Sequence, residues 1–502
     1  KFCMKPITTI LVVNNEEHIV RRCLESIKPI SSEIIVIHDG KCADKSLKIA
    51  SEFTEKVFER KKYYCPEPHL VDALYMAHHD WILRLDADEY LSPDLIEHIL
   101  RLDLEKEPYT HFKANWREHM VEQAKHPTKI LLFNRNHSLS IGIPHRAVEV
   151  SGEGLLLDGY LEHTPLHANF GFKEMLLKKL KPFAKVDAAL RYANPVKIYS
   201  LNGENKLPKK ILLRNKYPLI TAPFFAFRVY FKTLKELIKS RNWFAFKRVL
   251  AVAHAHLIEQ FLLSYYMYQE KKNLKNKYLI TSADNDYDEE YYERGLLSGK
   301  SLYSNYRWMP ELTIRSAYFM AKDLPIEEGA KILDFGCAKG YFVRALRFLN
   351  FEAYGVDISD YAISKAEKDV IKHCKLIKHI SDLKKIFNVK FDWVIAKDVF
   401  EHMPEKQLSE NLKELASITK KMFVVVPLGI DDISGNFVVP DYNKEITHVT
   451  ARTDKWWKSF FKKNNFSVEK VSFNFRFCKH NWTSVWPRGN GFYILKSSHT
   501  KK

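Results

Sequence analysis

Along the first 165 residues, short apolar runs alternate with amphipathic stretches. Ile7–Val13 (ITTILVV) reads as a buried strand, followed by the polar cluster Asn14–Glu17 and a helical period from His18 to Ile27. Ile34–Ile37 is a second run and ends at His38-Asp39-Gly40; a helix is expected from Lys45 to Glu52. Val57–Phe58 is a short third strand, and Trp81–Leu85 a fourth that ends on Asp86-Ala87-Asp88-Glu89. Strands alternating with helices predict a parallel α/β sheet. Ligands bind at the carboxyl ends of such strands. The polar clusters at 14–16, 39–44 and 86–89 all fall there.

From about Pro165 to Lys277 the pattern is helical, with Pro182, Pro195, Pro208, Pro218 and Pro223 expected to break it into pieces. Ser282–Glu290 (SADNDYDEE) is an acidic stretch that reads as a linker. A second alternation begins at Lys331: KILDFG, YFVRALRFL, EAYGVDIS, a helix near 361–373, FDWVIAKD, a helix near 405–418, and MFVVVP. VEKVSFNFRF and GNGFYILKS close the chain as an antiparallel pair. The expected organisation is an α/β domain over 1–168, a basic helical connector over 169–296 and a second α/β domain over 297–502.

Charge sharpens this division. The chain has 502 residues and a formal net charge of +18. Between 165 and 280 there are 23 Lys/Arg against 6 Asp/Glu, so nearly all the excess sits in the connector. Interleaved with it are Phe224, Phe225, Phe227, Tyr230, Phe231 and Trp243. Basic residues among aromatics suit an anionic membrane surface, where each Lys or Arg contributes on the order of 1 kcal/mol. They also suit RNA, but no RNA-module motif is present and nucleic acid is the weaker expectation. A solvated amphipathic connector is the plain alternative. No run of 18 apolar residues occurs, so no transmembrane helix is expected. Ile7–Val13 is too short for a secretory signal. The seven cysteines are scattered without a C-x-x-C pair, which suits a reducing compartment and gives no zinc signature. The expected place is cytoplasmic, peripheral at the membrane face.

Asp86 and Asp88, one residue apart at a strand end, have the hard oxygen donors that hold a divalent cation. Such a cation neutralises a pyrophosphate leaving group. With ITTILVVNNEEHIVRRCLESI, EIIVIHDGKCADKSLKIA and WILRLDADEYLSP, residues 7–165 resemble the family 2 glycosyltransferases of GT-A fold, in particular the lipopolysaccharide-core glucosyltransferase-like group. The resemblance implies inverting transfer of a sugar from a nucleotide diphosphate with Mn²⁺ or Mg²⁺. It implies that Asn15, Glu16 and Asp39 hold base and ribose, that Asp86 touches ribose or metal, and that Asp88 ligates the metal. The second motif departs from the usual Asp-Asp-Gly or Asp-Ser-Gly by reading His38-Asp39-Gly40. An inverting transferase needs a carboxylate base; Glu149, in PHRAVEV, is the candidate, with an ion pair to Arg146 as its alternative. His145 is a candidate for phosphate or acceptor. His163, in YLEHTPLH, resembles the late histidine that completes the metal shell, with His167 as competitor.

The second alternation carries a glycine turn. Asp334-Phe-Gly336-Cys-Ala-Lys-Gly340 joins a strand to a helix start, where glycines admit a ligand close to the backbone and the helix end adds partial positive charge. It lacks the G-x-G-x-x-G dinucleotide spacing. Asp357 ends the next strand about 20 residues on, where an acid binds ribose hydroxyls. With Asp382 in HISDL and Asp398-Val-Phe-Glu401-His402, residues 300–495 resemble class I S-adenosylmethionine-dependent methyltransferases of Rossmann-like fold. The resemblance implies that Asp334, Gly336, Gly340, Asp357, Ile358, Asp382 and Asp398 surround S-adenosylmethionine. His402 is the candidate base for a hydroxyl acceptor, because an unperturbed imidazole titrates near working pH. Tyr303–Pro310 is a candidate lid, and Trp482, Trp486 and Arg488 candidates for the acceptor pocket.

Together these readings predict two α/β domains and a bifunctional enzyme. One domain transfers a sugar to a glycan or lipid-linked glycan; the other methylates a sugar hydroxyl. Two rivals keep the methyltransferase: one makes the first domain a non-catalytic glycan-binding module, the other makes the protein an RNA methyltransferase with a basic arm.

Overall fold

β-Branched and aliphatic side chains fill the first strands, and a fully buried strand needs them on both faces. In the computed structural model, which describes residues 5–118, 127–140, 142, 148–164, 176–193, 197–200, 203–206, 213–214, 216–240, 246–277 and 287–500, β1 (Ile7–Val13) lies between β2 (Glu33–Asp39) and β4 (Trp81–Asp86) and runs parallel to both. Val13 is in register with His38 and Val12 with Asp86, so three strands end on one edge. β3 (Val57–Arg60) continues the sheet beyond β2. On the other side the sheet turns mixed, through β5 (Glu89–Leu91), β6 (His111–Glu118), β7 (Thr128–Asn134) and β10 (Gly154–His163), in the order β3-β2-β1-β4-β7-β6-β10-β5. A separate ribbon pairs β8 (Ser138–Leu139) with β9 (Glu149–Val150).

Helices cover both faces. α1 (Val20–Ile27) buries Val20, Cys23, Leu24 and Ile27 at helical spacing against Ile7, Leu11, Leu83 and Leu85. α2 (Ser46–Ala50) follows β2. α3 (Glu67–Met76) packs Leu70, Ala73 and Leu74 on Ile10, Ile35, Ile37 and Ile82 of the opposite face. Each such aliphatic side chain stabilises the fold by about 1.5–3 kcal/mol. α4 (Pro93–Arg101) starts at Ser92, whose hydroxyl accepts from Leu95 N.

The connector differs from the expected run of helices. α5 (Lys181–Ala193), α6 (Pro218–Ser240) and α7 (Phe246–Lys277) are present, but β11 (Lys197–Ser200) and β12 (Gly203–Lys206) form a hairpin between α5 and α6. Pro223 does not break the chain; it lies inside α6. Its missing N–H removes a single hydrogen bond near the helix start. Ala184 and Ala188 of α5 are buried with Leu263 and Met267 of α7.

The chain divides into two units at Lys277/Tyr278, earlier than the expected boundary at 296/297. The end of the acidic stretch begins a helix of the second unit: Asp288 caps α8 (Glu289–Ser298) by accepting from Tyr291 N. α9 (Pro310–Asp323) leads to β13 (Lys331–Phe335), α10 (Tyr341–Phe348) and β14 (Glu352–Asp357). α11 (Asp360–Ser364) ends well short of the expected 373, because the exposed Glu367-Lys368-Asp369 offer no apolar face to bury. β15 (Cys374–Leu376), α12 (Asp382–Ile386), β16 (Phe391–Lys397), α13 (Glu405–Ile418) and β17 (Thr419–Pro427) complete the parallel part. α14 (Asp454–Lys463), β18 (Phe466–Ser472), α15 (His480–Val485) and β19 (Asn490–Ser497) follow. The sheet order is β15-β14-β13-β16-β17-β19-β18, with β19 antiparallel to both neighbours. Leu333, Val394, Phe400, Leu412, Val424, Trp457 and Tyr493 are in its core.

Gly159 shows how close the packing around β10 is. Its φ is +93°, and a Cβ there would stand 2.5 Å from the amide nitrogen of Leu95 at the start of α4. Gly159→Ala is expected to lower the unfolding midpoint by several degrees, as scanning calorimetry would measure, because both the left-handed backbone and the contact oppose a side chain.

Candidate active sites

In the first unit the shared edge of β1, β2 and β4 gathers the polar clusters. Asn14 Nδ2 donates to the Asp39 carbonyl at 2.5 Å, and Asn15 N donates to His38 Nε2 at 3.1 Å. Asp39 Oδ1 accepts from Tyr63 N at 2.5 Å and pairs with the buried His69 Nε2 at 2.9 Å. Glu16 Oε2 accepts from Asn14 N at 2.9 Å. Burial, reinforced by Asp88, Asp86 and Asp44, outweighs that bond and pushes the Glu16 carboxyl up to about 7.

The Asp86–Glu89 turn is built around a half-buried cation from a distant strand. Lys129 Nζ, on β7, stands 2.9 Å from Asp86 Oδ2 and 2.7 Å from both oxygens of Glu89. Burial would raise the Asp86 carboxyl, but Lys129 and Arg84 hold it well below the usual carboxylate range. Glu89 goes the other way: burial raises it, with Lys129 only partly offsetting. Its Oε2 accepts from Asp86 N at 2.9 Å, and its Oε1 from the Trp116 indole at 2.9 Å. The Trp116 ring packs on His163 with centroids 4.5 Å apart. His163 Nε2 lies 3.2 Å from Asp88 Oδ2, and Thr164 N donates to the Asp88 carbonyl at 3.0 Å. Two ligands set at right angles about 2.1 Å from one ion stand about 3 Å apart. The Asp88–His163 pair therefore fits a divalent cation.

In the second unit the glycine turn joins β13 to α10. Gly336 has φ +84°, and a Cβ would meet Val399 Cγ2 at 2.4 Å; Gly340 has φ +70°, where a Cβ would meet Cys374 Sγ at 2.6 Å. Asp357 Oδ2 accepts from Ala338 N of the turn at 2.7 Å, and its Oδ1 from Ser359 N at 2.8 Å. Burial raises the Asp357 carboxyl, and burial raises Asp334 to about 7 against the pull of Lys397. Ile358, the next residue, leaves its apolar side chain exposed. Asp382 opens α12 and accepts from His379 N at 3.1 Å. Tyr287, Tyr292, Tyr303, Tyr306 and Tyr361 cluster beside the turn. Lys339 is buried there, paired with Glu293 and donating to the Tyr306 carbonyl at 2.7 Å. A glycine cradle closed to side chains, a strand-end acid and an exposed apolar residue fit an adenosyl cofactor.

Beyond β16, Asp398 takes a left-handed φ of 58°. Lys397 Nζ pairs with its Oδ2 at 2.6 Å, and Lys479 pairs with its Oδ1. Burial opposes ionisation, yet the two lysines hold Asp398 well below the carboxylate range. His402 departs from the sequence expectation. Burial, with His448 beside it, pushes its imidazole down to about 3, so it is neutral but too weak a base for the role its ordinary pKa implied. Glu401 is pushed up to about 8 by burial and by Asp398.

Residues 8–150 match the family model for glycosyl transferase family 2, and residues 307–471 match a methyltransferase domain. The chain joins a family 2 glycosyltransferase domain to a methyltransferase domain. It is 34% identical over 97 residues to an uncharacterized glycosyltransferase of Rickettsia typhi, covering 19% of this chain and 32% of that protein. To one of Rickettsia conorii it is 31% identical over 100 residues, 20% of this chain and 34% of that protein. The chain thus spans about a third of the length of these curated relatives. Among solved structures it is similar to magnesium protoporphyrin IX methyltransferase of Synechocystis PCC 6803 with bound SAH (14% identity, 47% of this chain, 97% of that chain, TM-score 0.29). Another is an S-adenosylmethionine-dependent methyltransferase of Clostridium acetobutylicum (14%, 36%, 90%, TM-score 0.28).

The glycosyltransferase domain brings Asn15, Glu16, Asp39, Asp86, Asp88 and His163 to one end of its sheet. Glu149 lies on the β8–β9 ribbon, outside that sheet; His145 and His167 fall outside the described residues, as does the side chain of Trp482. In the methyltransferase domain Trp486 packs on the Phe437–Tyr442 cluster, and Arg488 lies over the Phe473 ring at 4.4 Å. The sequence reading missed Lys129, Glu89, Trp116, Lys397, Lys479 and His448. Of these only Glu89 and Lys397 adjoin a motif; the others reach their sites through the fold.

The raised Glu16 carboxyl gives a pH prediction. A carboxyl whose folded pKa is raised from 4.5 to about 7 costs stability once the unfolded chain ionises, so the cost is absent below 4.5 and complete above about 7. Glu16→Gln is expected to raise the unfolding midpoint relative to the parent above pH 7. That gain should shrink to nothing below pH 4.5 in thermal scans across pH.

Proposed function

We propose that the chain is bifunctional. Its first domain moves a sugar from a nucleotide-diphosphate donor to a glycan or lipid-linked glycan, with inversion and with Mn²⁺ or Mg²⁺. Its second methylates a sugar hydroxyl with S-adenosylmethionine, in surface polysaccharide or glycolipid synthesis. The observation that carries the reading is the layout of both sheets, each of which places its carboxylates and backbone turns at the carboxyl ends of adjacent parallel strands.

At the first edge, Asn15, Glu16 and Asp39 receive base and ribose; Asp39 Oδ1 is already held by His69 and Tyr63. Asp88 and His163 hold the metal, which offsets charge on the leaving diphosphate. Asp86, tied to Lys129, shapes the turn and faces the ribose. Glu149 is the proposed base and His145 the proposed acceptor or phosphate contact. At the second edge, Gly336 and Gly340 admit the cofactor, Asp357 takes its ribose hydroxyls, Ile358 and Asp382 its adenine, and Asp334 and Asp398 set the charge around it. The acceptor hydroxyl sits beside His402. Fusion raises the effective concentration of an intermediate used by both domains.

The helical middle contacts an anionic membrane at its cytoplasmic face. Ile220, Phe224, Phe227 and Phe231 form an exposed stripe along α6, Ile220 at 79% exposure, with Arg228, Lys232 and Lys235 exposed beside it. Such a surface buries rings at headgroup depth while its cations meet acidic lipid. Among the described residues no helix is long and apolar enough to cross a membrane.

Calorimetric titration tests both chemical sites. UDP is expected to bind at least tenfold more tightly with Mn²⁺ than without, and Asp88→Ala to abolish that difference. S-adenosylhomocysteine is expected to bind the same protein, and Asp357→Ala to weaken it at least tenfold. Binding of neither nucleotide nor cofactor sinks the reading. For the membrane, vesicles rich in phosphatidylserine are expected to sediment the protein, and Phe224→Ser with Phe227→Ser and Phe231→Ser to leave it in the supernatant. Unchanged sedimentation of the triple variant counts against the contact.

A further inference from the structure

We propose that Glu401, His402 and His448 form a second metal site, for a first-row divalent transition ion, beside the position of the methyl acceptor. The inference rests on the methyltransferase reading of the second domain and goes beyond it by giving the acceptor an inorganic anchor.

Three features define the site. First, one ligand atom from each residue lies within 4.8 Å of the others, although His448 is distant in sequence and arrives on the loop between β17 and α14. Second, Glu401 is 1% exposed, and its Oε2 has no hydrogen-bond partner among the described residues. A buried carboxylate oxygen without a partner is costly unless a cation meets it. The nearby ammonium of Lys479 is directed elsewhere, to Asp398, to Tyr442 Oη at 3.0 Å and to Asn490 Oδ1 at 3.0 Å. Third, both imidazoles are oriented as metal ligands are. His448 Nδ1 lies 2.8 Å from the Tyr442 carbonyl, and His402 Nδ1 lies 3.3 Å from the Thr447 carbonyl and 3.0 Å from Thr447 Oγ1. The Tyr442 carbonyl only accepts, so His448 Nδ1 carries the proton and its Nε2 presents a lone pair; the Thr447 carbonyl favours the same tautomer for His402.

The surroundings extend the set. Glu445 Oε2 stands 3.7 Å from His448 Nε2, while its Oε1 is fixed by the Tyr291 hydroxyl at 2.6 Å and Thr447 Oγ1 at 3.1 Å. Two imidazoles and a carboxylate favour zinc, iron, cobalt or manganese over magnesium or calcium. Three protein ligands leave positions open, and neighbouring hydroxyls of a sugar suit them. An ion there would lower the pKa of a bound hydroxyl.

Another cluster, His38, Cys42 and Asp44, has no such availability. His38 uses Nε2 to accept from Asn15 N at 3.1 Å and Nδ1 toward the Gly40 carbonyl at 2.7 Å. Asp44 accepts from Glu17 N and Ser46 N.

The test uses the full chain carrying Asp88→Ala, which removes the glycosyltransferase metal position, and Co²⁺ as the probe. One equivalent of Co²⁺ is expected to bind, with visible ligand-field absorption. Adding His448→Ala, or separately the near-isosteric Glu401→Gln, is expected to weaken Co²⁺ binding at least tenfold while S-adenosylhomocysteine affinity stays within twofold. No Co²⁺ binding by the Asp88→Ala protein, or binding unmoved by both further substitutions, overturns the site. If His448→Ala loses the cofactor as well, Glu401→Gln decides. The cofactor titration separates the two readings: Co²⁺ binding without S-adenosylhomocysteine binding keeps the metal site and removes the methyltransferase assignment.

Discussion

Parallel strands that end together bring their carboxylates together, and half-buried lysines decide whether such an edge holds its shape. In the glycosyltransferase domain Lys129 stands between Asp86 and Glu89. In the methyltransferase domain Lys397 and Lys479 flank Asp398. Partial desolvation of these groups has a cost, and removing one partner leaves the charge of the other poorly compensated. The lysines are thus less a source of net stability than a condition for having those carboxylates at the edge at all.

Their placement also divides labour among neighbouring acids. Asp86 and Glu89 are held by Lys129, while Asp88 turns toward His163. A continuous chain of contacts runs from Lys129 through Glu89 to the Trp116 indole, from that ring to His163, and from His163 to Asp88. The geometry of the Asp88–His163 pair is therefore set by a tryptophan on β6 and a lysine on β7, neither of which touches Asp88. In the second domain the lysines pair with Asp398, while Glu401, raised by burial and by Asp398, lies beside two histidines.

Legibility in the sequence followed locality. The strands, the Asp86-x-Asp88 turn and the Gly336–Gly340 turn are local patterns of period and spacing, and the structure forms them where the pattern places them. Lys129 comes from a strand 43 residues beyond Asp86. Lys479 arrives from beyond β18 to meet Asp398, and its neighbourhood alone reads as surface. The β11–β12 hairpin was hidden because its short strands lie in a basic, Pro-punctuated run that scans as broken helix. His402 shows a different failure. The motif located it, but its basicity belongs to its surroundings, and burial beside His448 reverses the inference drawn from its ordinary pKa.

The two edges also differ in the charge they are prepared to accept. Around Asp86 and Glu89 the compensating cations are Lys129 and Arg84, so the proposed divalent ion between Asp88 and His163 would add the charge that a diphosphate needs. At the glycine turn, Asp357 is buried with backbone amides as its donors, and among the described residues no lysine or arginine pairs with it. Asp334 is likewise raised by burial. Beside them stand tyrosines whose burial keeps their hydroxyls protonated, presenting neutral ring faces, and Lys339 is tied to Glu293. Carboxylates with raised pKa and aromatic faces both favour an incoming cation. S-adenosylmethionine carries one, as a sulfonium, and its demethylated product does not. These surroundings therefore suit a cationic cofactor.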